Sequence, residues 1–287
     1  MNDMQRQGRC DLHTHTLASD GTNSPTENVR LASQKGLAGL AITDHDTVAG
    51  IAEAMEAGIK YGIRVVAGVE ISTRSEGHDI HVLGYGVQYE DSRFLTRLAG
   101  LRGARDQRND QILNKLRELG IDIVMQDVIQ TKTGGNAKVN SDNSIGRPHI
   151  ADTLVKKGYA SDLRDAFDRY LGEGAAAYIS LSPLSPTEAC QWIREAGGAP
   201  VIAHPGLYHQ DWLIQNLIEE ARPAGLEVYH SDHQKEDEER YFAMARENNL
   251  IITGGSDYHG VRQGHVFHGD IGSITVSKEV IDLLLHT

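Results

Sequence analysis

CDLHTHTLASDGTNSPTENVRLASQKGLAGLAITDHDTVAGIAEAMEAGIKYGIRVVAGVEIST, residues 10–73, alternates short apolar runs with amphipathic stretches. CDLHTH (10–15) reads as a strand. PTENVRLASQKG (25–36) reads as a helix. Ser24 stands at its N-cap, Pro25 at the first helical position, Glu27 three residues past the cap and Gly36 at the stop. LAGLAIT (37–43) is an apolar run of buried-strand length, TVAGIAEAMEAGIKYG (47–62) a second helix, and RVVAGVEIST (64–73) a third strand. A β-α-β-α-β order implies crossover connections and a mainly parallel sheet.

HDIHVLGYGV (78–87) alternates and extends this pattern by a strand. A different texture then begins. Residues 91–120 read as one long polar helix carrying Arg93, Arg97, Arg102, Arg105 and Arg108. TKTGGNAKVNSDNSIG (131–146) has the composition of a mobile loop. HIADTLVKKG (149–158) and DLRDAFDRYLGEG (162–174) read as short helices. Residues 91–180 are therefore expected to form a helical insertion between two parts of one discontinuous β/α domain, 9–90 and 181–287. In the second part, strands APVIAHP (199–205), GLEVYH (225–230) and LIITGGSDYH (250–259) alternate with helices SPTEACQWIREAGG (185–198), DWLIQNLIEEARPAG (211–225) and DEERYFAMARENN (237–249). About seven β/α units predict an α/β fold, a (β/α) barrel one unit short of eight, with an open doubly wound sheet as the alternative.

The 287 residues suffice for a sizeable core, and no apolar run reaches membrane-spanning length. Neither an apolar signal segment nor closely spaced cysteines appear; Cys10 and Cys190 are read as reduced thiols of a cytoplasmic protein. A formal net charge of -12 argues against a broad nucleic-acid coat, double-stranded DNA included, but leaves room for a local phosphate site. The outlier is histidine, with fourteen residues. His13 and His15 end the first strand, His45 with Asp44 and Asp46 the second, and Glu70 the third. His81 lies in the fourth, His204 ends APVIAHP, and Asp257 with His259 end the last. In parallel β/α folds such ends share one rim. One strand-end histidine means little; its repetition on strand after strand points to metal.

Spacing agrees with this reading. His13 and His15, like Asp257 and His259, are two apart on extended chain, so each pair points one way. Asp20 follows in a turn able to reach back over the rim. Imidazoles mixed with carboxylates suit Mn²⁺, Fe²⁺ or Zn²⁺ better than Ca²⁺. Asp44 and Asp46 are read as orienting groups, and Glu227 as a neighbour of the site rather than a ligand. His230 and His233 are left open, as is His78; His209, His265, His268 and His286 are read as solvated. Gly254 and Gly255 are expected to permit close backbone approach at the rim. No phosphate-cradling glycine motif and no serine nucleophile elbow occurs.

DLHTHTLASDG, AITDHDTVAG, GVEIST, HDIHVLGYG, VIAHPG and GSDYH, in this order, resemble the successive motifs of the PHP (polymerase and histidinol phosphatase) superfamily. The Arg102, Arg105, Arg108 spacing, GRPHIA (146–151) and FDRYLGEGAAAYIS (167–180) are similar to a subgroup of 3′,5′-nucleotide bisphosphate phosphatases and 5′-to-3′ exoribonucleases. The resemblance implies a distorted (β/α)₇ barrel with a helical insertion. It implies a trinuclear site, usually Mn²⁺ with Fe²⁺ or Zn²⁺ possible, held by His13, His15, Asp20, His45, Glu70, His81, His204, Asp257 and His259. Glu70 would bridge, and Glu70, Asp20, His204 and His259 are taken as catalytic.

The reaction so implied is phosphoester hydrolysis, with a metal-bridging hydroxide attacking phosphorus in line. Arg105, Gln107, Arg108, Arg147, Pro148 and His149 are expected at the second phosphate or nucleic-acid backbone, arginine being suited by its bidentate fork. The expected partner is a small phosphorylated nucleotide or short RNA, with no membrane; oligomeric state is left open. A histidinol-phosphate phosphatase is the alternative, which the arginine-rich insertion disfavours. A non-catalytic module is the second alternative, disfavoured by the complete ligand set.

Overall fold

A computed structural model describes residues 8–133, 144–180, 184–262 and 264–287. The stretch 134–143 of the expected mobile loop lies outside them. Strands β1 (Arg9–Asp11), β2 (Gly39–Ile42), β3 (Arg64–Ser75), β4 (His78–Tyr85), β5 (Ala199–Ile202), β6 (Gly225–His230) and β7 (Ile251–Gly255) follow one another in space as in sequence. The short strand Val276–Ser277 pairs antiparallel with the outer edge of β1. β7 returns to β1 through Leu12 N–H donating to the Gly254 carbonyl (3.3 Å) and a parallel bridge between Thr14 and Tyr258. The sheet thus curls into a distorted barrel rather than an open doubly wound sheet. Gly255 makes the seam possible: a Cβ there would lie 2.3 Å from the His13 nitrogen.

Helices α1 (Pro25–Gln34) and α2 (Ile51–Tyr61) are the expected crossovers. The Ser24 cap forms with both reciprocal bonds: Glu27 N–H to Ser24 Oγ (3.2 Å) and Ser24 N–H to Glu27 Oε2 (3.1 Å). The sheet departs from a parallel pattern at β4, which is antiparallel to both β3 and β5. β3 and β4 form a hairpin whose two turn residues, Glu76 (φ 49°) and Gly77 (φ 88°), are left-handed, as primed turns require. Register places His81 opposite Ser72, two residues beyond Glu70. Reversal is what brings His81, near the start of its strand, to the rim where other strands end.

Helix α3 (Ser92–Glu118) leaves the barrel, followed by α4 (Met125–Thr133), α5 (Arg147–Lys156) and α6 (Leu163–Ala166), the last running into a π turn (Phe167–Leu171). α3 is shared between two cores. Phe94 and Leu98 pack with the barrel's Val82 and Val87, whereas Ile112 and Leu116 pack with Ile150, Leu154 and Leu163 of the helical segment. Between these apolar ends, Arg105 and Arg108 face the barrel rim, one turn apart on one helix face. α7 (Pro186–Glu195), α8 (Asp211–Ala221), α9 (Lys235–Glu247) and α10 (Glu279–Leu285) complete the shell. No described helix is long and apolar enough to cross a membrane.

Candidate metal centre

At the rim the backbone turns sharply so that side chains can point inward. Asp46 (φ 54°), His204 (φ 27°) and Asp257 (φ 52°), each at or just past a strand end, all adopt left-handed conformations that non-glycine residues rarely accept. Strain of this kind costs on the order of 1–3 kcal/mol per residue and collects at functional sites.

The side chains converge on Glu70. Its Oε2 lies 3.5 Å from His13 Nε2, 3.2 Å from His15 Nε2 and 3.0 Å from His45 Nδ1. Its Oε1 lies 2.8 Å from His81 Nδ1 and 3.1 Å from His204 Nε2. Asp257 Oδ1 is 3.2 Å from His13 Nε2 and 3.1 Å from His15 Nε2. Asp20 reaches back from its turn, with Oδ1 3.3 Å from His259 Nε2 and Oδ2 3.6 Å from His45 Nε2. Donor atoms gather into overlapping groups: His13, His15, Glu70 and Asp257; His15, Asp20, His45 and His259; and His45, Glu70 and His81.

Buried polar atoms normally find hydrogen-bond partners. Here His13 Nε2, His15 Nε2, His45 Nδ1, Glu70 Oε2 and Asp257 Oδ1 are buried without one, although each lies 3.0–3.2 Å from another of the set. Donors that converge without hydrogen-bonding fit a cation-binding set, and the mixture of imidazole and carboxylate fits a transition metal. The charges agree. Burial alone would raise the Glu70 carboxyl, yet the imidazoles of His45, His81 and His13 hold it well below its usual range. Burial would lower His15, but Asp257 and Glu70 push it up to about 10. Without metal, protons held on His13, His15 and His81 offset the carboxylate charge, and a bound metal would displace them.

Surrounding groups orient this set. Glu227 Oε1 lies 3.0 Å from His13 Nδ1, turning Nε2 inward, and its Oε2 accepts from the His204 amide (2.9 Å). Asp44 gathers the Asp20 turn by accepting from Thr16 N–H (2.7 Å) and Ser19 Oγ (2.6 Å). Asp46 instead grips the helical segment: its Oδ2 accepts from Arg105 Nε (3.1 Å) and Nη2. His230 packs 3.3 Å from Asp257 Oδ2. His233 is structural, its ring joining Val228 O (2.8 Å) and Gly206 N (3.0 Å).

A cavity of about 340 Å³ opens from the centre, lined by Arg105, Arg108, Arg147 and Pro148. The other two expected substrate residues are elsewhere. Gln107 is on the exposed face of α3, because the helical period turns it away from the face shared by Arg105 and Arg108. His149 is buried behind the pocket, its Nδ1 accepting from Gly146 N–H (3.0 Å) to close the start of α5. His268, read as solvated, lines the cavity with Nε2 3.5 Å from Asp257 Oδ2, its other nitrogen pairing with Asp232. Phe167, Phe267, Ser72 and Asp79 also line it. No periodic signal marks them; only HVFH (265–268), a second histidine cluster close behind the last ligand motif, hinted at this wall.

The three arginines differ in how they are held. Arg105 is paired with Asp46 and also donates to Ser72 Oγ (2.6 Å). Arg147 pairs with Asp79 (3.1 Å) and lies over the Tyr178 ring. Arg108 has no carboxylate partner among the described residues. Its Nη2 donates to Asn109 Oδ1 (3.0 Å), its Nε is buried without a partner, and burial with Arg105 and Arg147 nearby pushes its pKa well below the usual range.

A distorted barrel with a ring of imidazoles and carboxylates at one rim, and an arginine-lined cavity above it, defines a metal-dependent phosphoesterase. The family model of the PHP domain matches residues 11–183, and the chain belongs to that family. It is 34% identical over 258 residues to a 3′,5′-nucleoside bisphosphate phosphatase of Chromobacterium violaceum, covering 88% of each chain. It is 35% identical over 254 residues to a 5′-3′ exoribonuclease of Haemophilus influenzae, covering 87% of this chain and 89% of that one. A solved structure from Bifidobacterium adolescentis, assigned as a metal-dependent phosphoesterase, superposes with a TM-score of 0.84 at 31% identity, over 96% of this chain and 95% of that one.

Proposed function

We propose that this protein hydrolyses 3′,5′-bisphosphonucleosides to nucleoside 5′-monophosphates in the cytoplasm and trims short 5′-phosphorylated RNA from its 5′ end. The observation that carries this reading is Arg108, a buried guanidinium without a carboxylate partner among the described residues, in the same cavity as the candidate ligands. An unpaired buried charge is costly, and a second substrate phosphate would supply its counter-charge through paired N–H donors. A simple monophosphate needs only the metal centre. The names of the two relatives agree with a substrate of this class.

His13, His15, Asp20, His45, Glu70, His81, His204, Asp257 and His259 would hold the metal, Glu70 bridging; we take this to be three Mn²⁺, with Fe²⁺ or Zn²⁺ as alternatives. Bound ions of this kind lower the pKa of water and neutralise charge on phosphoryl oxygens. Asp20, Glu70, His204 and His259 act by holding that centre. Glu227 keeps His13 in the tautomer that presents Nε2. Segment 91–180 acts as an insertion carrying the second anion site over the rim. Arg105, tied to Asp46, sets the position of α3, and Arg108 receives the second phosphate.

The test is Arg108→Ala, assayed with Mn²⁺ present. Losing one charge-assisted contact of about 1.5–3 kcal/mol lowers kcat/KM for a bisphosphonucleoside roughly ten- to a hundredfold. Hydrolysis of an aryl phosphate is unchanged. Equal loss of both activities, or loss of neither, refutes the assignment.

A further inference from the structure

A second cavity of about 910 Å³ adjoins the first, and Phe167, Phe267 and His268 line both. The two therefore form one continuous groove leading from the metal rim. This chain has only four phenylalanines, and two of them stand at the junction. Each is half-buried, packed on the apolar core of the helical segment on one side and lining the cavities on the other. Phe267 also meets the His268 ring edge-on, with centroids 4.4 Å apart.

Charges along the second cavity are mostly committed. Arg262 pairs with Asp152 and donates to the Asp20 carbonyl. Asp232 pairs with His268. Asp162 caps α6 by accepting from Asp165 N–H (2.9 Å). Arg164, exposed on α6, has no ion-pair or hydrogen-bond partner among the described residues. A groove that combines aromatic faces with a free cation is the arrangement by which proteins hold single-stranded nucleic acid without reading its sequence.

We propose that this second cavity is the track for downstream nucleotides of a single-stranded oligonucleotide whose 5′ end lies at the metal rim. A base stacks on Phe267 and Phe167, and the following phosphodiester pairs with Arg164. The inference rests on the RNA half of the proposed function, and it identifies where the chain of a longer substrate runs. A bisphosphonucleoside ends before Arg164 and does not use it.

The experiment uses the full-length, Mn²⁺-loaded protein and three variants: Arg164→Glu, Phe267→Leu and Phe267→Trp. Turnover is measured on a bisphosphonucleoside and on a 5′-phosphorylated tetranucleotide. Affinity for a cleavage-resistant phosphorothioate tetranucleotide is measured by fluorescence anisotropy. Arg164→Glu is expected to weaken both tetranucleotide readouts about tenfold and to flatten their salt dependence. Its bisphosphonucleoside turnover stays at the wild-type level. Phe267→Trp retains tetranucleotide binding, and Phe267→Leu loses about tenfold, whereas a residue needed only for packing would tolerate leucine. Wild-type tetranucleotide affinity in Arg164→Glu or in Phe267→Leu overturns the track. So does a wild-type protein that cleaves bisphosphonucleosides but does not bind the tetranucleotide. A wild-type protein that binds the tetranucleotide but cleaves neither substrate refutes the proposed function instead, and loss of that binding in Arg164→Glu would still support the track.

Discussion

Replacing Asp46 with asparagine tests whether the link between barrel and helical segment is electrostatic. Asp46 and Arg105 are 1% and 5% exposed. Asp46 Oδ2 accepts from two Arg105 nitrogens, and its Oδ1 accepts from Ser72 N–H (2.8 Å). Asparagine keeps the shape and tolerates the left-handed backbone at this position. It removes the charge and one of the two acceptor oxygens, so the Arg105 guanidinium stays buried without its paired carboxylate. Breaking one partner of a buried pair costs about 3–5 kcal/mol. At about 2 °C per kcal/mol for a large domain, Tm should fall by about 6–10 °C. Urea denaturation of the metal-free protein measures this directly. A double variant, Asp46→Asn with Arg105→Met, removes the stranded cation as well and should recover half or more of the loss. If the single variant loses under about 1 kcal/mol, or if the double variant is no better than the single, the pair does not hold α3 to the barrel.

Two further outcomes probe the centre itself. Glu227→Gln removes the charge facing His13 Nδ1 and should weaken metal binding about ten- to a hundredfold, read by competition with a chelator; unchanged retention rules out the orienting role. Gly255→Ala places a Cβ 2.3 Å from the His13 nitrogen and 2.4 Å from its Cβ, so the β1–β7 seam must move. About 1–3 kcal/mol of stability and part of the metal content should be lost together, and full metal content in this variant would show that the seam does not position His13.

Much of this fold could be read from residues 10–73, because amphipathic crossover helices, the first with a capping box at Ser24, and apolar strand runs are local features. β4 could not be read in its direction from alternation alone, since alternation is identical for parallel and antiparallel strands. The Glu76–Gly77 pair between two such runs carried the missing information, as a two-residue turn excludes a parallel crossover. That reversal also explains why His81 belongs at the rim although it lies near the beginning of its strand. Gly255 was legible for a related reason: a glycine just before a ligand motif marks close approach whichever strand closes the barrel.

The metal set and the substrate pocket were unequally legible for one physical reason. Strand-end residues are placed by topology, so a type and a position suffice to bring His13, His15, Glu70 and Asp257 together. Pocket residues are placed by how α3, α5 and residues 267–268 pack on the rim, and that is a tertiary property. Helical period alone separates Gln107 from the face of Arg105 and Arg108, so this distinction was available in the spacing. Period cannot say that Asp46 pairs with Arg105 while Arg108 has no carboxylate partner among the described residues, because Asp46 lies 59 residues away from Arg105 in sequence. In the proposed reading, the arginine that receives a ligand phosphate is the one left without a carboxylate among the described residues. The substrate question therefore turns on Arg108 and not on the number of arginines in the helix.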